Sequence, residues 1–352
     1  MSQNSDILGM GLIGSGFMAR TYAECLARHV RGAELRSVAI GSRASQLARD
    51  YVVDFDSDLE AILKRHDIDA VIIATPETIH PQQAIAAARA GKHALVEKPL
   101  APSLAQCDAV IEAFQQSEGR LMQVKHWRFR GVPHRAMELL QNGELGKVLQ
   151  IHNRTLVPLE LSRAGVKRKP FYLDPAGGGL FMGWCSHNFD FVRWLAGSEA
   201  RCIFASVASH GNHSIPELST QAQIEFASGA TAQIWVSAEL EGPPFAQSQF
   251  RSQVVCQRGT LDLDGVGQLR IGRKGNWEVV WEQPAFSIQD PLDPVRLEGF
   301  AAMVQEFVDA IREDREPSVT GSDGRAAVEL CLAARKSAAD QAAVEFPLVL
   351  DD

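Results

Sequence analysis

The sequence lacks a cysteine framework, a long apolar run and an excess of positive charge, and each absence removes a class of function. Its six cysteines (Cys25, Cys107, Cys185, Cys202, Cys256, Cys331) are scattered without C-x-x-C spacing. That argues against a disulfide frame or thiolate zinc site and for reduced, mostly buried thiols. No apolar stretch reaches the length of a membrane-spanning helix. Lys+Arg 35 against Asp+Glu 43 gives a net charge of −8, which argues against a general binder of nucleic acid or acidic membranes. The charges are dispersed along the chain as a solvated surface would require. Met1–Asp6 is polar and has neither the basic nor the apolar part of an export leader, so a cytoplasmic location is expected. There is no internal repeat and no low-complexity segment. No metal site is expected either: in His210-x-x-His213 the intervening Gly211 and Asn212 read as an exposed turn.

What is present fits two domains. At 352 residues the chain is long enough for two cores. The clearest unit is the stretch from Val71 to Leu100. Ala70–Ala74 is a fully apolar run suited to a buried parallel strand, and Thr75-Pro76 ends it. Pro81 suits the first turn of a helix, Ala84–Ala90 continues it, and Gly91 stands where a helix C-terminus needs a left-handed residue. Ala94–Val96 is a second strand, and its end delivers Glu97, Lys98 and Pro99. Ligands of open α/β sheets lie beyond the carboxyl ends of strands, which places Lys98 where chemistry is expected.

Upstream, the strand Ile7–Ile13 leads into Gly14-Ser15-Gly16-Phe17-Met18-Ala19, a G-x-G-x-x-A turn, and then a helix over Met18–Val30. The two glycines suit a tight turn and a close backbone approach to a pyrophosphate at the helix N-terminus, so Gly14, Gly16, Phe17 and Met18 are candidate cofactor residues. After the second strand, Leu35–Ile40, an acidic residue would accept a hydrogen bond from an NAD ribose. The chain has Gly41-Ser42-Arg43 instead. Ser42 and Arg43 suit a 2′-phosphate, which favours NADP over NAD. Arg43 stacked on adenine is compatible with either. Further helices are expected over Leu59–Arg65 and Ser103–Ser117, with Ser103 as cap, and Leu121–Lys125 is the last strand of a parallel, doubly wound sheet.

The pattern then changes. Pro133–Asn142 is a helix ended by Gly143. Strands follow over Val148–Val157, Gln221–Phe226, Thr231–Ala238, Leu269–Gly272 and Trp277–Trp281, with a hairpin of Ser252–Gln257 and Thr260–Leu263. They make a mostly antiparallel sheet with one face in a core, and its other face, carrying Trp235, suits a homo-oligomer interface. Residues 160–179 read as the main irregular stretch. Its Arg163, Lys167, Arg168 and Lys169 are either a solvated face or a lid for an anionic substrate. Gly177-Gly178-Gly179 opens a helix to Ala196 on which His187 and Asp190, three apart, share a face. The glycines there would let a backbone or cofactor approach closely. At the C-terminal side Phe300, Met303, Val304, Phe307 and Ile311 form the apolar stripe of a helix, and Gly324–Ala339 is another.

Together G-L-I-G-S-G-F-M-A, A-T-P-E-T-I-H, A-G-K-H-A-L-V-E-K-P, N-G-E-L-G-K-V and G-G-G-L-F-M-G-W-C-S-H-N-F-D resemble the Gfo/Idh/MocA oxidoreductases across nearly the whole chain. The resemblance implies an N-terminal Rossmann domain (1–125) binding NAD or NADP. It also implies an α/β domain (126–352) with a large open sheet that holds a carbohydrate-like substrate; the exposed face of that sheet is expected to form a dimer or tetramer. It implies Lys98 and His187 as the catalytic residues, a cis Lys98–Pro99 bond aiming Lys98 at the substrate, and Thr75, Pro76, His80 and Glu97 lining the nicotinamide half of the cofactor. His126 and Arg128 fall in an altered family run. With Arg154, Asp190 and the Arg163–Lys169 stretch they are candidates for substrate contacts. The family's Asp four residues before the helix histidine is Gly183 here. Either Lys98 and His187 then suffice, or Asp190 or Asp174 supplies the charge from another direction. A sensor that binds the cofactor without turnover, or a redox-neutral isomerase, is the alternative to a dehydrogenase acting on a secondary hydroxyl.

Overall fold

The computed structural model describes residues 7–168, 173–211, 214–243, 245 and 249–349. The chain divides into two compact units, one of residues 1–129 and 286–325, the other of 130–285 and 326–352. Residues 286–325, assigned to the second domain by the linear division above, therefore fold with the first.

The first unit opens β1 (Leu8–Ile13), α1 (Phe17–Arg28), β2 (Ala33–Ala39), α2 (Ala44–Tyr51), β3 (Asp54–Asp56), α3 (Leu59–Leu63), β4 (Ala70–Ile73), α4 (His80–Arg89), β5 (His93–Val96), α5 (Leu104–Gln115) and β6 (Leu121–Gln123). The six strands are parallel in the order β3-β2-β1-β4-β5-β6, a doubly wound sheet whose order reverses between β1 and β4. β4 and β5 carry buried apolar residues because helices cover both faces of such a sheet. Gly91 has φ +70 just beyond α4, and Ser103 caps α5 by accepting from the Gln106 N–H, as the sequence predicts.

The second unit begins with α6 (Gly131–Gln141), β7 (Val148–Pro158), α7 (Leu159–Arg168) and α8 (Gly179–Ala196). It continues with β8 (Ala200–Ala208), β9 (Ser219–Phe226), β10 (Thr231–Leu240), β11 (Phe250–Cys256), β12 (Gly259–Asp264), β13 (Gln268–Arg273) and β14 (Asn276–Glu282). Then α9 (Pro294–Arg312) belongs to the first unit, α10 (Gly321–Asp340) starts there and ends in the second, and β15 (Val344–Glu345) closes the sheet edge. The nine strands run β14-β13-β12-β11-β7-β10-β9-β8-β15, antiparallel except for β7 beside β10.

Two expectations change. The stretch expected to be irregular holds α7 over Leu159–Arg168, and Lys169 lies outside the described residues. The stripe of α9 belongs to the first unit's core. Leu297, Phe300, Met303, Val304 and Phe307 pack with Leu12, Tyr22, Leu26, Val38 and Ile72, and Ile311 lies against the same cluster. Burial of each such side chain stabilises by about 1.5–3 kcal/mol, which is why the segment returns.

The described thiols are all free, five buried and Cys202 half-buried. Among the described residues no helix is long and apolar enough to cross a membrane.

Candidate active site

The glycine turn after β1 is built for close approach. Gly14 has φ +123, a conformation that side chains resist, and a Cβ there would lie 2.5 Å from the Ala74 carbonyl oxygen. Gly16 differs: its φ is −83, and a Cβ would have nothing within 4 Å. It is the N-terminal boundary of α1, with no side-chain cap and no acidic residue in the first turn. The leading amides of α1 therefore lack a side-chain acceptor from the cap, and the helix dipole there is uncompensated, as a pyrophosphate site requires. The residues present fit a dinucleotide. Phe17 and Met18 give the turn their backbone, while their side chains turn to Arg296. Its guanidinium lies 4.9 Å from the Phe17 ring centroid, and its Nη2 donates to Met18 Sδ at 3.5 Å.

At the end of β2, Ile40 (φ 65) and Gly41 (φ 100) reverse the chain, and Ser42 and Arg43 are exposed. The Arg43 N–H donates to Ser15 Oγ at 3.2 Å, which ties this loop to the glycine turn.

Beyond β4, Thr75 Oγ1 donates to Gln83 Oε1 at 2.6 Å, and Thr75 and Pro76 are half-buried. His80 is only 1% exposed. Its Nδ1 lies 2.9 Å from the Pro99 carbonyl oxygen and its Nε2 2.9 Å from that of Thr75. Both ring nitrogens are thus engaged by backbone, so His80 clamps the exit of β4 to the exit of β5. Glu97 is likewise buried, accepting from Tyr22 Oη at 2.6 Å and from the Lys98 N–H at 3.0 Å. Lys98 is half-buried, and the Lys98–Pro99 bond is cis, as the resemblance implies.

The short helical turn His126–Phe129 follows β6. His126 stacks on Phe300 with centroids 4.6 Å apart, and Arg128 is buried with Nη2 3.1 Å from Asp323 Oδ1. Arg128 is therefore engaged in an ion pair within the first unit.

In the second unit α8 lies on β7 and β10. Asn188 Nδ2 donates to Asn153 Oδ1 at 2.7 Å and to Thr155 Oγ1 at 2.8 Å, and Asn153 Nδ2 donates to Ser252 Oγ at 2.8 Å. His187, next to Asn188, is half-buried, while Asp190 is 2% exposed and Gly183 is buried. Because strand residues alternate faces, Arg154 between Asn153 and Thr155 points away from α8, beside Trp235 of β10. The sheet thus separates Arg154 from His187. The glycines before α8 answer a backbone need: Gly178 and Gly179 have φ +82 and +65, and a Cβ on Gly178 would meet the Met182 side chain. Asp174 is exposed and accepts from the Ala176 N–H at 2.9 Å in its own turn. Arg163 lies 3.7 Å from Glu241 with both side chains exposed, and His213 lies outside the described residues.

Family models match both parts of the chain. Residues 8–126 match the oxidoreductase family with an NAD-binding Rossmann fold, and residues 134–262 match the GFO/IDH/MocA C-terminal domain. The chain belongs to the Gfo/Idh/MocA oxidoreductase family. It is 26% identical over 342 residues to a 1,5-anhydro-D-fructose reductase of Ensifer adhaerens, covering 96% of this chain and 98% of that one. It is 28% identical over 344 residues to a scyllo-inositol 2-dehydrogenase (NAD(+)) of Bacillus subtilis, covering 93% and 92%. A scyllo-inositol dehydrogenase from Lactobacillus casei, solved with NAD(H) and scyllo-inositol, superposes with a TM-score of 0.79 at 20% identity over 96% of this chain and 99% of that one. That likeness is one of fold.

Tyr22 and Arg296 were missed by sequence reasoning. Both sit on helix faces that read as ordinary core or surface, and Tyr22 meets Glu97 across 75 residues of chain.

Proposed function

We propose that this oxidoreductase moves a hydride between nicotinamide and a secondary hydroxyl or ketone of a sugar, polyol or sugar acid. The observation that carries the reading is Lys98, half-buried at the carboxyl end of β5. Its strand lies two places from β1, whose carboxyl end bears the glycine turn. NAD(P), when bound, supplies the hydride donor or acceptor. Gly14 and Gly16 would admit its pyrophosphate, and Thr75 and Pro76 would stand on its nicotinamide side. Lys98 Nζ would take or give the proton of the substrate hydroxyl, and the His187 imidazole would orient that hydroxyl or share the proton. Asp190 and His126 remain candidates for substrate contacts.

NAD(H) is the cofactor we assign, since two of the relatives above carry it, the Bacillus subtilis dehydrogenase in name and the Lactobacillus casei enzyme in the crystal. The preference for NADP rested on Ser42 and Arg43 alone and gains no support from those relatives. The six free thiols suit a reducing compartment, and a cytoplasmic place is part of the proposal. So is a dimer or tetramer formed through the outer sheet face, where Phe204, Trp235 and Val255 are 53%, 37% and 38% exposed.

Turnover of scyllo-inositol, myo-inositol, levoglucosan and 1,5-anhydro-D-fructose with each nicotinamide cofactor, in its oxidised or reduced form as the substrate requires, tests the reading at the nicotinamide absorbance. Lys98→Ala should lower kcat by about 100-fold with NADH affinity kept. Wild-type turnover in that variant would refute the role of Lys98. Cofactor binding without turnover on any member would favour the sensor that Gly183 suggests.

A further inference from the structure

A buried chain of hydrogen bonds joins α1 to the backbone of Lys98. Tyr22 has no exposed surface, and its Oη lies 2.6 Å from Glu97 Oε1. The other carboxylate oxygen, Oε2, accepts from the Lys98 N–H at 3.0 Å. Burial pushes the phenol well above its ordinary pKa, and the Glu97 charge and hydrogen bond push it further, so Tyr22 remains a donor. Its ring is held as well. Phe300 meets it edge-on with centroids 6.1 Å apart, and Phe300 itself lies under the Arg296 guanidinium at 4.5 Å. Arg296 is fixed in turn by donating to Thr21 Oγ1 at 2.9 Å and to the Pro291 carbonyl at 3.1 Å.

Each oxygen of Glu97 therefore has its own donor. With both in place the carboxylate is fixed, and so is the amide from which the Lys98 side chain departs. We propose that Tyr22 is a positioning residue for Lys98, acting through Glu97. This rests on the reading of Lys98 as the proton-handling group. Removing the phenol frees Oε1, lets the carboxylate turn toward another donor and withdraws the fixed acceptor from the Lys98 amide. Small displacements of a reacting group are costly, since about 1 Å of misplacement can lower a rate about 100-fold. α1 also begins at the glycine turn, so one helix would align both the cofactor's phosphates and Lys98.

The test uses the full-length protein and the four-compound panel. Each rate is divided by the number of NADH sites counted by fluorescence titration, which removes any effect of misfolded protein. Tyr22→Phe should lower kcat per site about tenfold, while substrate KM and NADH Kd stay within twofold. A kcat per site within twofold of wild type would overturn the positioning role. If Tyr22→Phe binds no NADH, Glu97→Ala decides by the same criteria, because alanine offers no acceptor to either Tyr22 Oη or the Lys98 N–H. Lys98→Ala is run alongside. If it retains wild-type turnover, the reading of Lys98 fails, and a loss in Tyr22→Phe then counts against action through it. If it falls about 100-fold and Tyr22→Phe does not fall, only the positioning role fails. Absence of wild-type turnover across the panel counts against both.

Discussion

Gly14 and Ala74 are in backbone contact: a Cβ on Gly14 would stand 2.5 Å from the Ala74 carbonyl oxygen. Gly14→Ala must therefore move β1 away from β4 as well as strain a φ of +123. It should destabilise by about 1–3 kcal/mol and abolish measurable NADH binding. Gly16→Ala is the informative contrast, because its Cβ enters open space at a φ of −83. Its melting temperature should stay within about 2 °C of wild type while NADH affinity falls at least tenfold, a split that only a ligand seated against Gly16 would produce. Unchanged affinity would remove the dinucleotide from this turn.

Arg43 sits exposed beside the glycine turn, with no acidic residue at the end of β2. Arg43→Ala should weaken NADPH binding several-fold, because a guanidinium matches a 2′-phosphate, and change NADH binding by less than twofold. Equal losses for both cofactors, measured by fluorescence titration, would show that Arg43 acts on the part they share.

Asn188 joins α8 to β7 through two short hydrogen bonds. Asn188→Ala leaves Asn153 and Thr155 short of a donor in a buried place and should cost about 2 kcal/mol. That corresponds to a fall of about 4–8 °C in melting temperature for a unit of this size. Gln223→Ala, on the exposed face of the same sheet, should change stability by less than about 0.5 kcal/mol.

Burial pushes the thiols of Cys25, Cys107 and Cys185 up to about 12 and that of Cys256 to about 11. At pH 8 they are almost wholly protonated in the folded chain, so half-buried Cys202 should react first with a disulfide reagent. All six should react after denaturation. The sign of the linkage follows. Unfolded thiols ionise near ~8.5, so above that pH the unfolded chain releases protons that the folded chain retains. The stabilisation is complete below ~8.5 and declines as pH rises toward 12, which urea midpoints at pH 7 and pH 10 would register.

The sheet strands at the centre of the first unit were legible because burial on both faces demands continuous apolar runs, as in Ala70–Ile73 and Ala94–Val96. α2 and β3 were not legible. α2 is a short helix of eight residues, mostly polar, and β3 pairs only three residues at the sheet edge. β8 was hidden for another reason. Phe204 points outward while Ile203 and Ala205 are buried, so its apolar residues do not alternate cleanly. At the candidate site, Gly14 follows β1 and Glu97 and Lys98 follow β5, the strand ends at which the sequence puts them. The bonds of His80 to Pro99 and of Glu97 to Tyr22 were not legible, since those partners lie 19 and 75 residues away and nothing local marks them. Arg154 shows the limit of residue type as a guide. A cation on a strand suggests a substrate contact, yet the alternation set by Asn153 and Thr155 turns it to the other face.

The return of α9 to the first unit has a consequence for biosynthesis. Phe300, Met303 and Phe307 complete a core whose other members, Leu12, Tyr22 and Leu26, leave the ribosome far earlier. Residues 130–285 intervene, and at ~5–20 residues per second they take roughly 10–30 s to emerge. For that interval the nascent chain presents the uncovered side of α1 to the cell. The dinucleotide-binding half, though encoded first, is the half that waits for a holdase or for its own late helix.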